Sequence, residues 1–348
     1  MNDYSQYILA LYFLSVFWVL ITKFINTGLG NFFALIVSFI TFLIASFRPS
    51  HFPDMETYKR MFFEVSVGPE YWSESHGEEG YKILSYIFYQ IWDDYAGFLL
   101  FIALLSYALL VIISKISKVP FSYLWFTYFS FYFVTRDLGT MRLALACHLI
   151  VIALLQRKII WQFFILAIAS FTFQYYAFVA ISASILSRIK PTLLLLIYLM
   201  IPFAIIGVSG ILDIYTVENS FLASERLVEA YIQSDYNSNR GVPVIIPTIR
   251  NLFFALLLFY FMKEEVKFRK YRIWVWSAFL SVLTYLLFAD FLIVAQRFSA
   301  YFGAIIPLGL AYLLNKNNLS LLEFSLIFFL VLFNFFLLFY YNDFVWRI

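Results

Sequence analysis

The chain has 348 residues, of which 63% are hydrophobic, 22% aromatic and only 13% charged, with a mean hydropathy of +0.85. No soluble domain of this length needs so much apolar surface, so the composition excludes a soluble enzyme and predicts an all-α, polytopic integral membrane protein. A formal net charge of +3, spread among loops, argues against nucleic acid as a partner and leaves membrane lipids as the main surroundings.

At about 20 residues per span, apolar windows fall near 7–22, 31–47, 97–114, 119–134, 141–156, 159–172, 175–188, 192–208, 246–262, 273–290, 298–314 and 319–341. They predict about twelve transmembrane helices in a single transmembrane domain, 1–348, with no room for a separate soluble domain. The first run begins at Tyr7 with no basic segment before it and no small-residue cleavage site behind it, which predicts a retained span. The runs at 119–134, 159–172 and 175–188 are short, with room for tilt, a break or re-entry.

Orientation follows from the basic residues of short loops. Lys263 to Arg272 holds five basic residues against two acidic ones, which predicts a cytoplasmic loop. Alternating spans then put Arg188/Lys190, Arg157/Lys158 and Lys115/Lys118 on the same side. The opposite side receives two longer loops, 48–96 and 209–245, together with the connections at 135–140, 173–174 and 290–297 and both termini.

The first long loop is acidic, with Asp54, Glu56, Glu64, Glu70, Glu74, Glu78 and Glu79, and its stretch Tyr81 to Trp92 has a helical apolar stripe that predicts an interfacial helix. The second carries Glu218, Glu225, Arg226, Glu229, Asp235 and Arg240, a helical segment near 221–233 and a polar run from Ser234 to Gly241 that reads as a lid or a solvated turn.

The segment Thr135-Arg136-Asp137-Leu138-Gly139-Thr140-Met141-Arg142 places two arginines and a carboxylate between two apolar runs. A charge at a helix centre costs roughly 2.5–3.5 kcal/mol, so such residues mark a polar cavity or substrate path. Arg136 and Asp137 also admit a plainer reading, a local ion pair at a helix end. Arg142 already has apolar neighbours, and Arg297 stands between the apolar run from Phe291 to Ala295 and an aromatic run from Phe298. Arg48, at the end of a span, reads either as a snorkelling anchor or as a site residue. Four groupings fall on the predicted outer side: Arg48 with Asp54 and Tyr58, then Glu78, then Arg136 with Arg142, then Arg297 with Tyr301. The fixed fork of arginine pairs two phosphate oxygens at once, so several arginines there point to a diphosphate or another polyanion.

Other polar residues read as structural. Cys147, the single cysteine, sits in an apolar run as a small hydrophobe and excludes an internal disulfide. His148 reads as an interior histidine. His51 and His76 lack zinc-site spacing, so no metal site is expected. Asp93-Asp94 stands where a helix start would favour carboxylates. No P-loop, GxSxG elbow or Rossmann fingerprint is present.

In order, Phe47-Arg48-Pro49 with Asp54-Met55-Glu56-Thr57-Tyr58 and Phe62, then Glu78-Glu79-Gly80-Tyr81, Arg136 to Arg142 with Leu143-Ala144, Phe171 to Ala177, and Gln296 to Phe302 resemble the EpsG-like family of membrane polysaccharide polymerases, which includes Wzy-type O-antigen polymerases. The resemblance runs from about 40 to 305. One position departs from it: Gln174 stands where such proteins usually have a histidine, and an amide cannot act as a base at neutral pH. The resemblance implies a metal-independent, cofactor-free membrane glycosyltransferase of GT-C-like type in the bacterial inner membrane. It would join undecaprenyl-diphosphate-linked oligosaccharide repeats, as donor and acceptor, at the periplasmic face. In that reading Arg48, Arg136, Arg142 and Arg297 hold the diphosphate, and Asp54 or Glu78 is the general base. Tyr58, Tyr81, Gln174 and Tyr301 contact the glycan, and a chain-length regulator is left open as a protein partner. A lipid-linked oligosaccharide flippase and an O-antigen ligase-like transferase are the competing readings, although the hydropathy shows no inverted repeat.

Overall fold

The computed structural model describes residues 3–50, 52, 54–69, 72, 77–209, 242–289 and 292–341. His51, His76, Glu70, Glu74 and most of the second long loop lie outside them. The described residues form helices and no strand. In chain order these are α1 (Asp3–Phe24), α2 (Thr27–Ser46), α3 (Met55–Ser66), α4 (Glu79–Ile91), α5 (Tyr95–Ser117), α6 (Phe121–Tyr128) continuing as a π-helix (Phe129–Asp137), α7 (Met141–Leu155) and α8 (Ile159–Thr172). A 3₁₀ turn (Tyr175–Ala180) leads to α9 (Ile181–Leu186), α10 (Leu193–Val208), α11 (Val242–Phe261), α12 (Arg269–Leu287), α13 (Leu292–Gly303), α14 (Ile305–Leu314) and α15 (Leu321–Tyr341).

Every apolar window of the sequence carries a helix. Among the described residues, five stretches are long and apolar enough to cross a membrane: α1, α2, α5, α15 and the run Val294–Leu314; α7, α8, α10 and α11 are shorter apolar helices. The protein is therefore an all-helical, polytopic membrane protein. Helix starts are set by local chemistry. Asn26 accepts from Leu29 N at 2.9 Å, Asp94 accepts from Ala96 N and Gly97 N, and Ser320 with Glu323 forms a reciprocal capping box at α15.

Contacts divide the chain into two compact units, Met1–Phe178 with Pro307–Ile348, and Val179–Ile306. In the first, α5 packs on α2 and α7, α7 on α8, and α15 on the π-helix. Trp125, Phe126, Phe129 and Phe133 are fully buried at the centre of this unit. In an apolar layer, polar groups must be satisfied internally. Accordingly Tyr12 pairs with Ser130 Oγ at 2.9 Å, and Asn334 donates to Ser130 O at 2.7 Å.

The chain direction alternates within this unit. The ends of α2, the π-helix and α8 meet the starts of α5, α7 and α3. Tyr95 Oη donates to Met55 O at 3.3 Å, Arg48 Nη1 to Asp137 O at 2.7 Å, and Gly80 touches Phe171 and Thr172. Lys23, Lys115, Lys118, Arg157 and Lys158 lie at the opposite ends of the same helices. Between α2 and α5, α3 and α4 pack on each other, and α4 also packs on α8. Along α4, Ile83, Ile87 and Ile91 are exposed at four-residue spacing, whereas Tyr81, Lys82 and Ser85 face inward.

In the second unit α12 is buried on nearly all sides and packs against α9, α10, α11 and α13. Arg272 Nε donates to Ser187 O at 2.6 Å, and Trp276 Nε1 to Ile189 O at 2.9 Å. The Arg188/Lys190 turn and the start of α12 therefore lie together.

Candidate functional site

Within the first unit, the alternating helix ends gather a polar cluster that the sequence distributes over more than a hundred residues. Its centre is Arg142, in the first turn of α7. Arg142 Nη1 meets Glu78 Oε2 at 2.5 Å. The guanidinium lies over two rings, 5.4 Å from the Tyr58 centroid and 5.3 Å from that of Tyr81, a geometry that attracts a cation to the ring faces. Glu78, Tyr58 and Tyr81 are all buried, and Arg142 itself is only 16% exposed.

Glu78 reaches Arg142 because of the glycines beside it. Gly77 has φ of +121°, and a Cβ there would stand 2.4 Å from Met61 Cε and 2.9 Å from Arg142 Nη1. Only glycine adopts this backbone comfortably, and the close approach leaves no space for a side chain. A Cβ on Gly80 would stand 2.8 Å from Thr172 Cα, so α4 starts directly against the end of α8. Tyr175 closes the same corner, donating to Gly77 O at 3.2 Å. Gln174, half-buried, belongs to this turn, its backbone N bonded to Ala169 O and its carbonyl to Ala177 N.

The tyrosines are neutral in this setting, and the Tyr58 hydroxyl accepts from the Arg142 guanidinium. Burial pushes the Tyr58 phenol above its usual range, opposed by the nearby charges of Arg142 and Arg48 and reinforced by Asp54. Burial pushes the Tyr81 phenol up further, again opposed by Arg142. Asp54 stands one turn before Tyr58, exposed, at the N-cap position of α3 with φ of +61° and no side-chain capping bond. A left-handed backbone at a non-glycine residue is tolerated best by Asp and Asn and recurs at functional positions.

Arg48 is neither snorkelling nor open. It is 7% exposed, and its three nitrogens point inward: Nε to Met55 Sδ at 2.9 Å, Nη1 to Asp137 O at 2.7 Å and Nη2 to Met141 Sδ at 3.3 Å. It ties the end of α2 to α3 and to the end of the π-helix. Beside it lies a cavity of ≈ 10 Å³ lined by Arg48, Ser106, Asp137 and Met141 among others, about the size that holds one water molecule.

The possible ion pair between Arg136 and Asp137 does not form. Asp137 instead accepts from Ser106 Oγ at 2.5 Å and from Tyr128 Oη. Arg136 is half-buried, with its guanidinium 5.9 Å from the Tyr132 ring and its Nε without a hydrogen-bond partner. Among the described residues no carboxylate lies within ion-pair distance of it.

Arg297 and Tyr301 belong to the second unit, on α13. Arg297 is exposed, whereas Tyr301 is buried beside Phe298, with ring centroids 5.8 Å apart. Cys147 and His148 are buried in α7. No group of three or more potential metal ligands occurs among the described residues.

Two site residues escape a reading of charges alone. Gly77 is signalled only by its place before Glu78-Glu79-Gly80, a turn-like composition at a helix start. Tyr175 is one aromatic among many.

No curated protein and no solved structure matches the chain. The EpsG family model matches residues 31–346, nearly the whole chain and every element of the cluster around Arg142. With this match, the chain belongs to the EpsG family, a family of Wzy-like polymerases.

Proposed function

We propose that the protein is a polysaccharide polymerase with about twelve membrane spans. It joins undecaprenyl-diphosphate-linked oligosaccharide repeats by glycosyl transfer at the periplasmic face of the bacterial inner membrane. A hydroxyl of the acceptor repeat attacks the anomeric carbon of the donor, the bond from that carbon to the diphosphate oxygen breaks, and the lipid diphosphate leaves with the electron pair. The hydroxyl proton passes to a carboxylate.

One observation carries this reading: Arg48, Asp54, Glu78, Arg136 and Arg142 of the first unit share one end, opposite Lys23, Lys115, Lys118, Arg157 and Lys158. Positive residues favour the cytoplasmic side, which supports an outward-facing site. Arg136, with no carboxylate partner among the described residues, suits the leaving diphosphate, whose developing charge a preorganised cation stabilises. Arg297 is a second candidate for the same chemistry. Asp54, exposed at the rim, suits the general base. Glu78, already paired, holds Arg142 between Tyr58 and Tyr81 and positions their hydroxyls, while Gln174, half-buried, is the residue left to contact the glycan. Arg48 sets the helix ends and acts through them.

Reconstitution with a defined undecaprenyl-diphosphate repeat unit tests the reading. Longer glycans should appear as lipid diphosphate is released, and Arg136→Ala should insert normally yet give only single repeats. A normal ladder of chain lengths in that variant would remove Arg136 from the reaction. In a deletion strain, lipid-linked single repeats should collect on the outer leaflet. Collection on the inner leaflet would mean a flippase, and complete loss of attached glycan a ligase.

A further inference from the structure

One arginine of the second unit takes no part in the cluster above. Arg250 lies in α11, twelve residues from Met262 at the basic end of that helix, or about 18 Å along the axis. In an apolar layer about 30 Å thick, that depth is well away from the cytoplasmic headgroups. A guanidinium placed there is costly and is a site candidate by default.

The fold holds Arg250 by a neutral mount. Its Nε and Nη2 both donate, at 3.2 Å, to Oδ1 of Asn251. The amide nitrogen of Asn251 in turn donates to Ser299 Oγ at 3.0 Å and to Ser281 Oγ at 3.3 Å. Asn251, Ser281 and Ser299 are at most 5% exposed and come from α11, α12 and α13. Three helices therefore fix one amide, and the amide orients the guanidinium.

An amide oxygen satisfies donors without cancelling charge. A guanidinium has five N–H donors, and only two nitrogens of Arg250 are engaged in these bonds. Among the described residues no carboxylate lies within ion-pair distance of it. The contrast with Arg142, neutralised by Glu78, is direct. Arg297 lies two residues from Ser299 on α13, so a second cation stands at the same level of the unit.

An oriented cation inside an apolar layer, neutralised by no carboxylate among the described residues, suits an anion that is itself attached to hydrocarbon. We infer that Arg250, on its Asn251–Ser281–Ser299 mount, binds the diphosphate of a polyprenyl-linked substrate, separately from the anion site of the first unit. Joining two lipid-linked repeats requires two such diphosphates, one on the donor and one on the acceptor. With Arg136 assigned to the donor's leaving diphosphate, Arg250 takes the acceptor's; that assignment rests on the polymerase reading, and the anion site itself does not.

Binding of a C15 polyprenyl diphosphate to the purified full chain in detergent, measured by calorimetry, tests the inference without requiring turnover. The wild type should bind two equivalents. Arg250→Gln should bind one, Arg136→Gln should bind the other, and Arg250→Lys should retain the second equivalent at about tenfold weaker affinity. Asn251→Ala, which keeps the charge but removes its mount, should also weaken that equivalent, and gel filtration checks that each variant is folded. Inorganic diphosphate should compete poorly; equal competition would make the site one for free diphosphate and overturn the lipid assignment. A binding count that Arg250→Gln leaves unchanged from the wild type would overturn the site altogether, whereas a single wild-type equivalent that Arg250→Gln abolishes would keep it and remove the anion site of the first unit. A wild type that binds two equivalents yet never lengthens a glycan would leave this site standing and reject the polymerase.

Discussion

Arg142 in the first unit and Arg250 in the second are both arginines on largely apolar helices, yet the fold treats them in opposite ways. Arg142 meets a buried carboxylate at 2.5 Å and two tyrosine rings. Arg250 meets an amide held by two serines. A paired charge fixes geometry but has little net field left for a ligand, whereas a charge on a neutral mount keeps its field and depends on the ligand to complete it. The first arrangement suits a positioning element and the second a binding element.

The largest test of this contrast is stability. Arg142→Ala leaves the Glu78 carboxylate buried without its partner, and breaking a buried pair on one side costs about 3–5 kcal/mol. The double change Arg142→Ala with Glu78→Ala should recover much of that loss while long glycans stay absent. Arg250→Ala removes from an apolar layer a charge that no described carboxylate neutralises, and should leave stability within about 1 kcal/mol of the wild type or raise it. Thermal unfolding in detergent measures all three. Equal losses for Arg142→Ala and Arg250→Ala would erase the distinction.

A smaller effect is expected at Gly77, which allows the pair to form. Gly77→Ala meets both an unfavourable φ and the Arg142 guanidinium, and strain of this kind costs about 1–3 kcal/mol. Both stability and chain length should fall, because Glu78 moves with the turn. A fully active Gly77→Ala protein would show that the approach of Glu78 to Arg142 is incidental.

Much of the helical framework is legible in the sequence, because the bilayer imposes a length and an apolarity on each element. The window 159–172 coincides with α8, and the run after Pro120 carries on unbroken to Asp137, changing to a π-helix partway. The short run from 175 divides into a 3₁₀ turn and α9. Asp94 caps α5, as its position before an apolar run implies. The pairing of charges is much less legible. Glu78 and Arg142 are 64 positions apart, and no local pattern links them; the link is made by helices that alternate in direction. Conversely Arg136 and Asp137 are neighbours in the chain and part company on the helix. Arg250 hides inside an apolar window, since one charge among residues such as Ile249, Leu252 and Phe253 barely alters the average.

The smallest effect expected is at Tyr58, and its sign depends on pH. Tyr58→Phe keeps the ring over Arg142 and removes only the hydroxyl, which bonds to the guanidinium, a loss of about 1.5–3 kcal/mol at most for a bond to a charged group. Burial raises the phenol above its ordinary value in the folded state, so the folded chain holds that proton more tightly than the unfolded one. The resulting stability is fully present below the unfolded value of about 10 and is lost as pH rises through the folded value. The difference in unfolding free energy between the wild type and Tyr58→Phe should therefore be constant from pH 7 to about 9.5 and shrink above about 10. A difference that instead grows as pH rises through the neutral range would mean that a phenolate forms beside Arg142. The ring pair would then be a second charge partner for that arginine, and the first unit would owe its paired character to Tyr58 as well as Glu78.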